Sequence, residues 1–118
     1  MGELFFKDES YTIVGAAIRV HKTLGAGFSE AVYQEALAIE LEKQNVPFER
    51  EKQIHIVYDG IQLKKTFQVD FVCYNQIIVE LKAMPEIIGT FRAQIINYLK
   101  VANMPLGILI NFGESSLC

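Results

Sequence analysis

Between Ser10 and Leu24 the apolar positions recur at helical spacing: Ile13, Ala16 and Ala17, Val20, Leu24. That period predicts an amphipathic helix, and Gly25 and Gly27 supply its stop. A second helix is predicted from Ser29, a favourable N-cap, to about Gln44, where Asn45 and Pro47 end it. The period then falls to two. In "FEREKQIHIVYDG", Ile54, Ile56 and Tyr58 fall on one side and Gln53, His55 and Val57 on the other. Asp59-Gly60 is the strongest hairpin signal in the chain. The next strand runs from about Ile61 to Cys73 with a bend near Lys64-Lys65. Tyr74-Asn75-Gln76 is a turn, and Ile77–Lys82 forms a third strand. Met84-Pro85 breaks the chain. A helix follows from about Ile87 to Ala102, with Phe91, Ile95, Tyr98 and Leu99 in its apolar stripe, and Asn103-Met104-Pro105 ends it. "LGILINF" is wholly apolar, the pattern expected of a buried central strand.

The predicted order is α-α-β-β-β-α-β. Three antiparallel strands, a crossover helix and one more strand give an α/β fold, a mixed β-sheet flanked by helices. No repeat, low-complexity stretch or linker divides residues 1–118, so they read as a single domain. "GESSLC" ends the chain soon after the last strand, and the expectation is that a final C-terminal element is lacking.

Charges interrupt this apolar pattern at three places in "VDFVCYNQIIVELK": Asp70, Glu80 and Lys82. Alternation puts Phe67, Val69, Phe71 and Cys73 on one face of the second strand and Thr66, Gln68, Asp70 and Val72 on the other. On the third strand Ile78, Glu80 and Lys82 share a face. A three-residue turn sets Cys73 opposite Ile77 and Asp70 opposite Glu80, leaving one face of the hairpin apolar; a two-residue turn would mix charge into the core. The favoured register gathers Asp70, Glu80 and Lys82 with Gln68. Two carboxylates so close repel unless a cation lies between them, and oxygen donors suit magnesium or manganese. Lys82 would offset charge or orient a water or a reacting phosphate. The plainer alternative is a salt-bridged solvent face on a half-exposed sheet.

Glu30, Tyr33, Leu37 and Leu41 fall on one helix face, so a carboxylate heads an apolar stripe. Glu30 either satisfies the helix dipole or serves as a further metal or water ligand. Gln94 and Tyr98 are one turn apart on the helix after Lys82, which reads from spacing as a buried Tyr with a polar neighbour. Arg92 and Lys100 are single basic residues on a helix, of the kind usually just solvated. His21 and His55 are far apart, with no zinc spacing and no nucleophile-histidine-acid arrangement. No phosphate-binding glycine loop or dinucleotide pattern is present.

Composition bounds these readings. Half of the 118 residues are apolar, with 8 Phe and 5 Tyr, enough to fill one core. No apolar run approaches the ~20 residues that span a bilayer, so no membrane role is expected. The N-terminus "MGELFFKDES" lacks a basic region and a cleavage site, and Phe6 breaks a myristoylation pattern. Cys73 and Cys118 give no disulfide framework, and a reducing cytoplasm is the expected setting. The net charge is -3. Dedicated nucleic-acid modules are usually basic, so any such role here rests on a local patch, a bound metal or a second subunit.

Taken together, Asp70 and then Glu80-Leu81-Lys82 resemble the D…E-x-K signature of the PD-(D/E)XK nuclease superfamily. "GFSEAVY", Gly27 to Tyr33, resembles the motif that names the GxxExxY family within it. The likeness extends over "IVGAAIRVHKTLGAGFSEAVYQEAL", "VDFV", "IIVELKA", "AQIINYL" and "GILINFG". Ala26 stands where the family usually has Pro. The resemblance implies a restriction-endonuclease-like core and a metal-dependent phosphodiesterase acting on DNA, with RNA as the alternative. It implies that Asp70, Glu80, the Leu81 carbonyl and Glu30 ligate magnesium or manganese, that Lys82 positions or activates water, and that Gln94 with Tyr98 matches a Q-x-x-x-Y pattern. The alternative is a catalytically silent nucleic-acid- or protein-binding module on the same fold. A homodimer is the expected way for so small an acidic domain to grip a duplex.

Overall fold

A computed structural model describes residues 6–86 and 89–115. The readings on Met1–Phe5, on Ile87 as a helix start and on Cys118 lie outside the described residues. The element order is the expected one: α1 (Lys7–Leu24), α2 (Glu30–Lys43), β1 (Phe48–Tyr58), β2 (Ile61–Cys73), β3 (Ile77–Lys82), α3 (Gly89–Ala102) and β4 (Leu106–Asn111). α1 starts earlier than its apolar period indicates. Its first turn carries Asp8 and Glu9, which complement the helix dipole but leave no hydrophobic trace. Ser29 caps α2, its side chain accepting from the Val32 amide at 3.4 Å.

The sheet runs β1-β2-β3-β4, antiparallel through β3 and then parallel. Asp59 and Gly60 turn the first hairpin with φ of 52° and 78°, the left-handed pair that a two-residue turn requires. Further along this hairpin the register slips between His55↔Thr66 and Val57↔Gln62, with the surplus on β2 at Leu63–Lys65, where the bend was expected. Tyr74, Asn75 and Gln76 make the second turn, and Cys73 faces Ile77 as the burial argument required.

α1 and α2 cover one face of the sheet. Ile13, Ala16, Val20, Tyr33, Leu37 and Leu41 pack there with Phe71, Cys73, Ile77, Val79 and Leu81. α3 covers the other, where Ile95, Tyr98 and Leu99 meet Ile54, Phe67, Val69, Val72 and Ile78. Burial pushes the Cys73 thiol up to about 12, so this cysteine is an inert core residue.

Two expectations are corrected. The hairpin does not keep one apolar face: Phe67 and Val69 pack under α3, whereas Phe71 and Cys73 pack under α1 and α2. The change of face falls at Asp70. The β1–β2 ladder omits a pair there, and the opposing Glu51 has φ of 54°. β4 is not central either; among the described residues it pairs with β3 alone. Its apolar run comes from having helices on both faces. Leu106 and Ile108 pack against the α1/α2 core and Leu109 against the α3 core.

The end of β4 is locked to the segment after β3. Asn111 accepts from the amides of Met84 and Gly113, each at 3.1 Å, and donates to the Met84 carbonyl at 2.8 Å. The Phe112 amide donates to the Lys82 carbonyl at 2.8 Å. A Cβ on Gly113 would lie 2.2 Å from the Met84 nitrogen and 2.3 Å from its oxygen, both backbone atoms that cannot swing aside. Gly113→Ala is therefore expected to destabilise the fold by about 1–3 kcal/mol, measured by urea unfolding.

Candidate metal and nucleic-acid site

The β2–β3 ladder ends at Phe71↔Val79. One step further, side chains take over from the backbone. The Asp70 amide donates to Glu80 Oε1 at 2.8 Å, and the Leu81 amide donates to Asp70 Oδ2 at 2.8 Å. Each carboxylate is thus held by the other strand's backbone, and the two sit side by side. Charge-assisted bonds of this kind fix orientation as well as contributing energy.

Glu80 is buried at 8 % exposure. Burial pushes its carboxyl up to about 7 from 4.5; the Asp70 amide and Lys82 pull it down, while Asp70 and Glu30 raise it further. Glu30 is exposed at the head of α2, close enough for its charge to act on Glu80. The loop before it is tied down by Tyr33, whose hydroxyl donates to the Gly25 carbonyl and accepts from the Phe28 amide at 3.2 Å. The Tyr33 ring stacks on Phe112 at 4.5 Å. Lys82 is half-buried with its Nζ 4.5 Å above the Phe91 ring, a cation–π contact that holds the ammonium near α3. Tyr98 stacks on Phe67 at 4.0 Å, and burial and then the Glu80 charge raise its phenol. Gln94 is exposed one turn before it.

The structure thus brings together Asp70, Glu80 and Leu81, sets Lys82, Tyr98 and Glu30 within electrostatic reach of Glu80, and separates Gln68. Gln68 accepts from Gln53 at 2.7 Å and donates to Glu51 at 3.5 Å, on an exposed polar patch. Among the described residues no three His, Cys, Asp or Glu side chains converge as a metal-holding group, so Glu30 is not a third carboxylate beside the pair. The donors that do converge are carboxylate oxygens, the type a hard divalent cation takes with water completing its shell. A cation against Glu80 would offset both its burial and the Asp70 charge, so these residues fit such an ion.

One residue at the site escaped the sequence reading. Gln34 is buried on α2; its Nε2 donates to Asp70 Oδ1 at 2.7 Å, and its Oε1 accepts from Arg50 Nε at 2.7 Å. The available signal was its position four residues after Glu30, a polar side chain beside the apolar stripe.

A family model described as the PD-(D/E)XK nuclease superfamily matches residues 7–117. Nucleases of that superfamily generally use divalent metal ions, and the superfamily implies nucleic-acid binding. No curated protein and no solved structure matches the chain. No helix among the described residues is long and apolar enough to cross a membrane.

Proposed function

We propose that this chain, which belongs to the PD-(D/E)XK nuclease superfamily, hydrolyses phosphodiester bonds in DNA, with RNA as the alternative substrate. Gly27, Glu30 and Tyr33 support its placement in the GxxExxY branch, because Tyr33 ties down the loop that presents Glu30. The observation that carries the reading is the reciprocal pair of bonds that fixes Asp70 and Glu80 together where the ladder ends.

In this proposal Asp70, Glu80 and the Leu81 carbonyl would hold magnesium or manganese, with Glu30 acting through an intervening water. The chemistry a bound ion supplies there is polarisation of a phosphoryl oxygen and acidification of water. Lys82 orients the attacking water and offsets charge on the phosphate. Tyr98 and Gln94 line the α3 side of the site. A homodimer belongs to the same proposal and is tested by sedimentation.

The experiment uses the purified chain with labelled single-stranded DNA, duplex DNA and RNA. Cleavage is expected with magnesium or manganese and is expected to stop on chelation. No cleavage of any of these, together with no divalent-ion heat in calorimetry, would defeat the proposal. The second reading, a silent binding module, has two observations in its favour: the net charge of -3 and the protein donors already on both Asp70 oxygens. It is the outcome if nucleic acid or a protein partner binds but is never cut.

A further inference from the structure

Glu51 lies inside β1 with φ of 54°, in the left-handed region that a long side chain avoids. Every other described non-glycine residue with positive φ lies in a turn or at a helix end. Such strain persists where surrounding structure imposes it. Here its consequence is a change of side. Arg50 pairs with Phe71, on the α1/α2 face, whereas Lys52 pairs with Val69, on the α3 face. In a regular strand the two would share a face.

The twist delivers the Arg50 guanidinium to Gln34 and leaves it without an acid. Its Nε donates to Gln34 Oε1, and this fixes the amide so that Gln34 Nε2 meets Asp70. Glutamates flank Arg50 on both sides, yet each engages another group: Glu49 pairs with Lys52 at 2.8 Å, and Glu51 accepts from Gln68. Among the described residues Arg50 has no ion-pair partner. It is exposed, and among the described residues Gln34 is its guanidinium's hydrogen-bond partner. A forked cation of this kind matches the geometry of phosphate oxygens. One amide separates it from the carboxylate pair, too far to share a phosphate oxygen with Asp70 and near enough for the neighbouring phosphate.

We propose that Arg50 binds a phosphate next to the one attacked at Asp70 and Glu80, with Gln34 as the positioning residue that sets Arg50 and Asp70 in register. This rests on the nuclease reading. It also supplies the local positive group that an acidic chain needs in order to hold a polyanion.

The test measures binding of a labelled oligonucleotide by fluorescence anisotropy across salt concentrations, with calcium replacing magnesium. Arg50→Gln is expected to weaken binding about tenfold and to flatten the log–log salt slope by ~0.7–0.9, the value of one phosphate contact. Arg50→Lys keeps the charge and is expected to keep the slope. Gln34→Glu sets a carboxylate against both the guanidinium and Asp70; measured without calcium, so that the Asp70 site does not enter, it is expected to flatten the slope with Arg50 still present. These readouts separate a phosphate contact from a structural bond, which would change the unfolding midpoint and leave the slope alone. If the unaltered chain binds and cuts while Arg50→Gln keeps its affinity and slope, the Arg50 inference is wrong and the nuclease reading stands. If the unaltered chain neither binds nor cuts, both fall.

Discussion

Asp70→Asn is expected to lower metal-dependent cleavage at least ~1,000-fold while leaving the fold in place. The replacement keeps the shape of the side chain and an oxygen to accept the Leu81 amide now bound at 2.8 Å. What it removes is one of the two charges that would hold a cation. Charge stabilisation by a bound ion contributes several kcal/mol, and each ~1.4 kcal/mol is tenfold in rate. Lys82→Met is expected to cost ~100–10,000-fold by a different route, since it deletes the group proposed to orient water. Methionine keeps an apolar stem against Phe91, where the Lys82 ammonium now sits 4.5 Å from the ring. Single-turnover rates at saturating metal, with circular dichroism on each variant, check both. An Asp70→Asn protein that cuts at the original rate would place the activity elsewhere.

Much of this architecture was legible because it follows from period and burial. The shift from a helical period to alternation marks each element, and the odd turn at Tyr74-Asn75-Gln76 that sets Cys73 opposite Ile77 also sets Asp70 beside Glu80. The loss of the hairpin's single apolar face has one cause. Alternation assumes a regular backbone, and Glu51 breaks it at φ 54° with nothing in its chemistry to announce the break. Counting through that point grouped Val69 with Phe71, whereas the chain separates them. β4 misled for another reason. An apolar run reports what covers a strand's two faces and is silent about its edges. Gln34 was overlooked because glutamine carries no charge to attract notice, although its spacing from Glu30 gave it away.

Glu80 ties stability to pH, and the sign follows from which state binds the proton more tightly. Burial, with the Asp70 and Glu30 charges, raises the folded carboxyl from 4.5 to about 7, so between those values the folded chain holds a proton that the unfolded chain has released. Its contribution is complete below the unfolded value and is lost as pH rises through the folded one. At ~1.4 kcal/mol per pH unit, the loss amounts to ~3 kcal/mol without metal. Glu80→Gln keeps an oxygen for the Asp70 amide and has nothing to ionise. The variant is therefore expected to match the original chain near pH 4 and to exceed it by ~3 kcal/mol at about pH 8. Urea midpoints for the two proteins across that range measure the difference directly, because other titrating groups are common to both. Magnesium or manganese at about pH 8 is expected to restore the original chain and to leave Glu80→Gln unmoved, since an ion that binds only the folded carboxylate stabilises that state in proportion to its occupancy. A stability difference that stays flat with pH, or metal that shifts both proteins alike, would show that Glu80 is neither strained by its burial nor facing an ion.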